Sequence, residues 1–266
     1  MAADPVGVPS DTVQFGMAFR HQVRFYLRTM RFLALLVIVL LATVGFVAAT
    51  IYYHVGGVDA GGYLGGFLGL FTIFGLIIGA FLGGDAIAMD FGSPTGYYTL
   101  VLPVRRATLL LGRYAAAFAA SFVLILVYFV VAVSGAVYFH GVLGTPWVEV
   151  GESLGLASLY ALGVLSVAFL FSSFFRSPAT SMISTVLVLF FGLDIATGIA
   201  AFAGVDPWFS ILWAGGAISE VFPSRVRLAG GGSVPSVPEG IAIMLVYAVL
   251  FLIVSAVLYQ YKESKG

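Results

Sequence analysis

The sequence predicts an all-α integral membrane protein with six transmembrane helices. Three observations predict it: six long apolar runs, an arginine and lysine distribution confined almost wholly to alternate connections, and a composition with 61% hydrophobic and 9% charged residues. Soluble domains carry about 25% charged residues. The runs are Phe32–Tyr53, Tyr63–Ala88, Thr108–Phe139, Leu154–Phe175, Ala179–Ala203 and Gly240–Tyr261. None holds a lysine, and only the third holds an arginine, Arg113. Each meets the ~20 apolar residues that a helix needs to cross the bilayer core.

Orientation follows from charge. If the spans alternate, Arg20, Arg24, Arg28, Arg31, Arg105, Arg106, Arg113, Arg176, Lys262 and Lys265 fall on one side, and only Arg225 and Arg227 on the other. Cytoplasmic loops retain Lys and Arg, so both termini are expected in the cytoplasm of a multi-pass plasma-membrane protein. The opposite loops carry Asp59, Glu149, Glu152, Asp206, Glu220 and Glu239. The formal net charge is zero, which argues against nucleic acid as a partner. There is no cysteine, so disulfide, zinc-thiolate and thiol chemistry are excluded.

Residues 1–31 read as a loose tail followed by an interfacial helix over Thr12–Met30, with Asp11 as its cap. Phe15, Ala18, Phe19, Val23, Tyr26, Leu27 and Met30 keep the rhythm of one apolar face. Arg20, Arg24, Arg28 and Arg31 form a cationic stripe beside it, as in a helix lying in the headgroup plane. The first apolar run is longer than the ~7–15-residue core of a signal peptide and follows a polar stretch, so it is expected to remain as a span.

The second run repeats small residues at steps of three and four: Gly65, Gly69, Thr72, Gly75, Gly79, Gly83 and Ala86. Such spacing lets helices approach closely, with either another span of this chain or a second copy as the partner. Residues 204–239 form the longest external segment. Its Pro207–Ala214 stretch is too short to span and too apolar for water, and it reads as a re-entrant or interfacial element. Trp147, Trp208 and Trp213 sit at that boundary like an aromatic belt.

Candidate chemistry is sparse. A nucleotide-hydrolysing P-loop needs a Gly-rich loop ending in Lys-Ser/Thr. The lysines, Lys262 and Lys265, are both at the C-terminal end, so that motif is absent. Gly151–Gly155 matches the G-x-S-x-G pattern, with His140 the one histidine near it, but no strand precedes it to form a nucleophile elbow. Asp85 and Asp90 are five apart and do not share a helical face, which disfavours a paired-aspartate magnesium site. Asp85 is expected to pair with a nearby cation such as Arg113, or to meet interfacial water. Asp194 lies inside the fifth run, where an aspartate costs about 2.5–3.5 kcal/mol on insertion scales. It is expected to face the bundle interior or a cavity, as a pathway residue or as a carboxyl held by Thr197 or Ser184.

The most informative connection runs from Asp90 to Arg113. Pro94 can start a short helix and Pro103 stops it. Tyr97, Tyr98, Leu100, Val101 and Leu102 make the stretch apolar enough for a docking surface. The order of an acidic residue, Thr95-Gly96, an apolar stretch, Pro103-Val-Arg-Arg106 and Leu-Leu-Leu-Gly-Arg113 resembles the coupling-helix region of ABC type-2 permeases, the membrane subunits of one class of ATP-binding-cassette exporters. The layout of the chain is similar throughout.

That resemblance implies a coupling loop over residues 90–107, with Thr95, Gly96, Tyr97, Tyr98, Leu100 and Pro103 seated in an ATPase and Arg105 and Arg106 flanking it. It makes the N-terminal helix, with Phe15, Phe19, Arg20, Arg24 and Arg28, an elbow helix, and Phe209–Ile218 a re-entrant helix pair. It implies a non-catalytic permease paired with a second copy or a paralogue. ATP and magnesium would be bound by a separate ATPase subunit, with no cofactor on this chain. Many relatives read Pro-Val-Ser-Arg at positions 103–106, where this chain has Pro-Val-Arg-Arg. Two other classes compete: an ion- or proton-coupled transporter or channel using Asp194, and a membrane anchor whose loop merely docks a complex.

Overall fold

A computed structural model describes residues 10–53, 59–92, 105–222 and 234–263. Among them every regular element is helical, and six helices are long and apolar enough to cross a membrane: Met30–Tyr52, Ala60–Phe91, Arg106–Gly144, Trp147–Phe174, Pro178–Ala200 and Val237–Tyr261. These are the six apolar runs with ends shifted by a few residues. Continuous hydrophobicity fixes a span because every backbone polar group in hydrocarbon must be bonded within the helix.

The chain opens with α1 (Asp11–Arg28). Its cap position is Ser10 and not Asp11, which instead lies in the first turn, where its charge suits the helix dipole. Its buried face is Gln14, Ala18, Gln22 and Tyr26, while Val13, Phe15, Met17, Leu27 and the arginines point outward. The expected apolar face is therefore rotated. Gly112 of α6 (Arg106–Gly144) explains this, because it exposes backbone for α1 to lie against. A Cβ on Gly112 would stand 2.8 Å from that of Ala18.

Span one is α2 (Met30–Tyr52), which turns away from α1 at the extended Thr29. Span two is broken into α3 (Ala60–Gly69) and α4 (Phe71–Gly83), followed by a turn and the short α5 (Ala88–Gly92). A break frees backbone carbonyls, and tyrosines from neighbouring spans bond the ones beside it. Tyr128 Oη donates to the Phe67 carbonyl at 2.6 Å, and Tyr160 Oη to the Thr72 carbonyl at 3.0 Å. Both rings join an edge-to-face cluster with Phe67, Phe71 and Phe129 at the centre of the core.

Span three, α6, runs from Arg106 to a kink at Gly141, about 52 Å of helix at 1.5 Å per residue. The hydrocarbon core is ~30 Å thick, so α6 extends well beyond it, and α1 lies along its first turns. At its far end Gly141 adopts φ +74°, a left-handed conformation that glycine takes without a Cβ penalty. Span four is α7 (Trp147–Phe174), the most enclosed helix of the bundle. The glycine face of span two meets it. Cβ atoms on Gly75 and Gly83 would each stand 2.7 Å from Tyr160 and Ala168 of α7, and one on Gly79 would overlap Val164. Gly65 is buried, and Gly69 meets Ser219. The small-residue face is thus occupied within the chain.

Span five comprises α8 (Pro178–Leu187), a π-helical turn (Val188–Gly192) and α9 (Leu193–Phe202). It lies on the outside of the bundle. Two short helices follow, α10 (Ile211–Gly215) and α11 (Ala217–Glu220). Ile211, Ala214, Ala217, Ile218 and Phe222 are buried against spans two, four and six, and Ser153 Oγ of α7 donates to the Ile218 carbonyl at 2.8 Å. Span six is α12 (Val237–Glu263), which packs mainly on α7. Gly163 of α7 and hydroxyl bonds from Ser166 to the Ala248 carbonyl (2.9 Å) and between Ser173 and Ser255 (2.8 Å) hold the two together.

Candidate functional site: the polar cluster at the arginine-rich end

Spans one, two, three and six meet at the end of the bundle that carries the arginines. Residues 84–87 turn between α4 and α5 there, and the turn is held from outside. Ser172 Oγ accepts the N–H groups of Ile87 (2.8 Å) and Ala88 (2.9 Å), and Ser181 Oγ donates to the Gly84 carbonyl. This fixes two aspartates in different directions.

Asp85 pairs with a nearby cation, as expected, and that cation is Arg31 at the start of α2 in place of Arg113, the example the sequence suggested. The turn after Gly83 carries the chain round before α5 begins, so Asp90 is the residue delivered to Arg113. That pair is bidentate: Nη1 to Oδ2 at 2.5 Å and Nη2 to Oδ1 at 2.8 Å, with side chains 11% and 4% exposed. Arg113 also donates to the Ala86 carbonyl (2.9 Å), and Tyr259 of span six donates to Asp90 Oδ2 (2.8 Å). A buried charge is tolerated only when paired and hydrogen-bonded, and Asp90 meets both conditions using spans three and six.

A second cluster adjoins the first. Arg105, the residue preceding α6, donates its N–H to Gln14 Oε1 (3.0 Å) and its guanidinium to Asp11 Oδ2 (2.7 Å), both on α1. Tyr26 of α1 donates to the Leu82 carbonyl at 2.6 Å. Burial pushes its phenol well above the usual range, so it remains a neutral donor at any working pH. Arg106 is buried in the first turn of α6.

Thr95, Gly96, Tyr97, Tyr98, Leu100 and Pro103 lie outside the described residues. What is described is both ends of the connection that bears them. One end is Asp90, locked to Arg113 and Tyr259; the other is Arg105, tied to α1. Sequence reasoning missed Gln14, Gln22 and Tyr259. The i, i+4 spacing of Gln14, Ala18, Gln22 and Tyr26 carried the signal for the first two, but glutamines do not read as a packing face until an uncapped helix start lies opposite.

Asp194 is not among these groups. It is exposed on the outer face of α9, just past the π-helical turn, while Thr197 Oγ1 bonds the backbone carbonyls of Leu193 and Asp194 (both 2.8 Å) and Ser184 lies on the other side of the turn. The expected inward orientation fails because the buried face of span five is made by Ser181, Thr185 and Leu189. Among the described residues no group of three or more His, Cys, Asp or Glu could hold a metal ion. Comparison with known families finds no family model that matches the chain, and no curated protein matches it.

Proposed function

We propose that the chain is the permease subunit of an ATP-binding-cassette exporter with both termini in the cytoplasm, powered by a separate ATPase and working beside a second permease. The observation that carries this reading is the mounting of the 93–104 connection. Its preceding end is anchored to spans three and six by the buried Asp90–Arg113–Tyr259 cluster, and its following end is bonded to α1. A loop that only connects two spans needs no such anchorage. One that receives force from a soluble motor does, because a push on it must move helices and not merely bend the loop. The apolar Tyr97–Leu102 sequence supplies the docking surface, and α1 extends it.

In this mechanism the ATPases close on nucleotide, press on the connection, and tilt spans two, three and six together through Asp90. The second permease covers the outer face of α9 alone, where Asp194 would border the path between the two. α10 and α11 would form the re-entrant pair on the outer side. The apolar and aromatic character of the spans fits a hydrophobic or amphipathic substrate.

The test is purification from native membranes in mild detergent with identification of the proteins that accompany the chain. A stoichiometric P-loop protein, lost from Tyr97→Asp/Leu100→Asp, is the expected result. Recovery of the chain alone, with ion flux in liposomes abolished by Asp194→Asn, overturns the proposal in favour of gradient-driven transport. A partner without a P-loop overturns it in favour of an anchor.

A further inference from the structure

A cavity of about 620 Å³ opens sideways from the bundle between spans one, two and five. Its volume falls within the range of ~300–1,000 Å³ usual for small-molecule sites. Phe81, Met182 and Val186 line it, Ile183 and Leu187 line its exposed side, and Arg31 and Ser177 line its polar end. Arg31 follows the first residue of span one and Ser177 immediately precedes span five, so that end lies where the helices leave the polar region. From Pro178 to Leu187, the last wall residue, the helix rises about 14 Å at 1.5 Å per residue. That is close to one leaflet of a hydrocarbon core about 30 Å thick. The cavity is therefore an apolar trench one leaflet deep with a cationic rim.

The rim is arranged for an anion. Arg31 keeps 44% of its side chain exposed and meets Asp85 through Nη1 alone, whereas a guanidinium offers five N–H donors in a fixed fork. Asp85 is only 5% exposed and lies behind the arginine, so an incoming anion meets the cation first. Arg28, three residues before Arg31, and Arg176, the residue before Ser177, are exposed, and neither has an acidic partner among the described residues. Basic pockets between spans on the cytoplasmic side suit anionic headgroups.

We infer that this trench is a binding site for an anionic phospholipid of the leaflet on the arginine-rich side, with one acyl chain against Ile183 and Met182 and the phosphate at Arg31, supported by Arg176. The occupant is a bilayer lipid because the trench opens laterally, runs along a span and matches a single leaflet in depth. The site requires only that the six helices cross a bilayer, and it stands whether or not an ATPase drives the protein.

The experiment is native mass spectrometry of the full chain extracted from vesicles of equal phosphatidylglycerol and phosphatidylcholine. Wild type should retain phosphatidylglycerol in preference by about twenty-five-fold, given roughly fivefold for each of Arg31 and Arg176. Ile183→Trp should abolish the retained lipid by filling the trench, with Val186→Phe as the milder alternative if that variant fails to fold. Arg176→Gln should lower the preference about fivefold while leaving acyl-chain occupancy intact. Equal retention of the two lipids overturns the inference, as does retention that persists in Ile183→Trp, which would assign the lipid to the outward arginines of α1. Spontaneous cross-linking of Ile183→Cys between copies also overturns it, because the trench would then be covered by protein.

Discussion

Asp90 accepts two hydrogen bonds from Arg113 and one from Tyr259, and each donor can be removed separately. Arg113→Gln leaves a buried carboxylate without its counter-charge and should cost about 3–5 kcal/mol, read as a lower thermal midpoint in detergent. Tyr259→Phe removes one bond to a charged group and should cost about 1.5–3 kcal/mol. The double change Asp90→Leu/Arg113→Met removes both charges and should recover most of the lost stability, since well-packed apolar pairs often replace buried ion pairs at little cost. If the cluster transmits force, that stable double variant should still fail to link ATP hydrolysis to transport. Recovery of both stability and coupling would reduce the cluster to a structural tie. The sequence marked Asp85, Asp90 and Arg113 as unusual and pointed Asp85 to a nearby cation but not to Arg31, because pairing depends on a turn whose direction is set by Ser172 and Ser181, 84 or more positions from the groups they bond.

Helix–helix contact in lipid depends on close approach, because lipid tails compete for apolar surface as well as a neighbouring helix does. The face made by Gly75, Gly79 and Gly83 shows where that approach is tightest. Gly83→Leu should push α4 from α7 and lower stability by about 1–3 kcal/mol or more, with Gly83→Ala intermediate, since its Cβ would stand 2.7 Å from that of Ala168. Gly66→Ala has nothing within 4 Å of the added methyl and should be neutral or slightly stabilising. Thermal unfolding of the three variants checks the order, and an equal effect at positions 66 and 83 would refute it. The periodicity of this face was legible in the sequence. Its partner was not, because the facing α7 residues Tyr160, Val164 and Ala168 include no second small-residue repeat. Nor was the break at Leu70 legible, since the apolar run continues through it.

For the whole molecule, the six spans could be read directly because each is bounded by polar or charged residues, while the hydrocarbon core tolerates little else. Burial on three spans was less legible: spans one, five and six are among the least enclosed, and apolar composition alone cannot tell lipid-facing from protein-facing residues. The absence of cysteine makes sidedness directly measurable. In sealed cells, Arg24→Cys should resist a membrane-impermeant maleimide until the membrane is opened, and Val205→Cys should react at once. The reverse pattern would invert the topology and place the 93–104 connection outside, beyond the reach of any cytosolic ATPase.

The π-helical turn Val188–Gly192 has a consequence for evolution and for engineering. A wide turn of this kind behaves as a one-residue insertion in an α-helix, and each residue advances the helix by about 100°. The halves of span five are therefore out of phase. The half nearer the arginines presents Met182 and Val186 to the trench, while Asp194 beyond the turn is dialled to the outer face. Deleting Phe190 should restore an unbroken helix and swing Asp194 by about a quarter turn. A single codon thus works as an angular adjustment for the one carboxylate in span five.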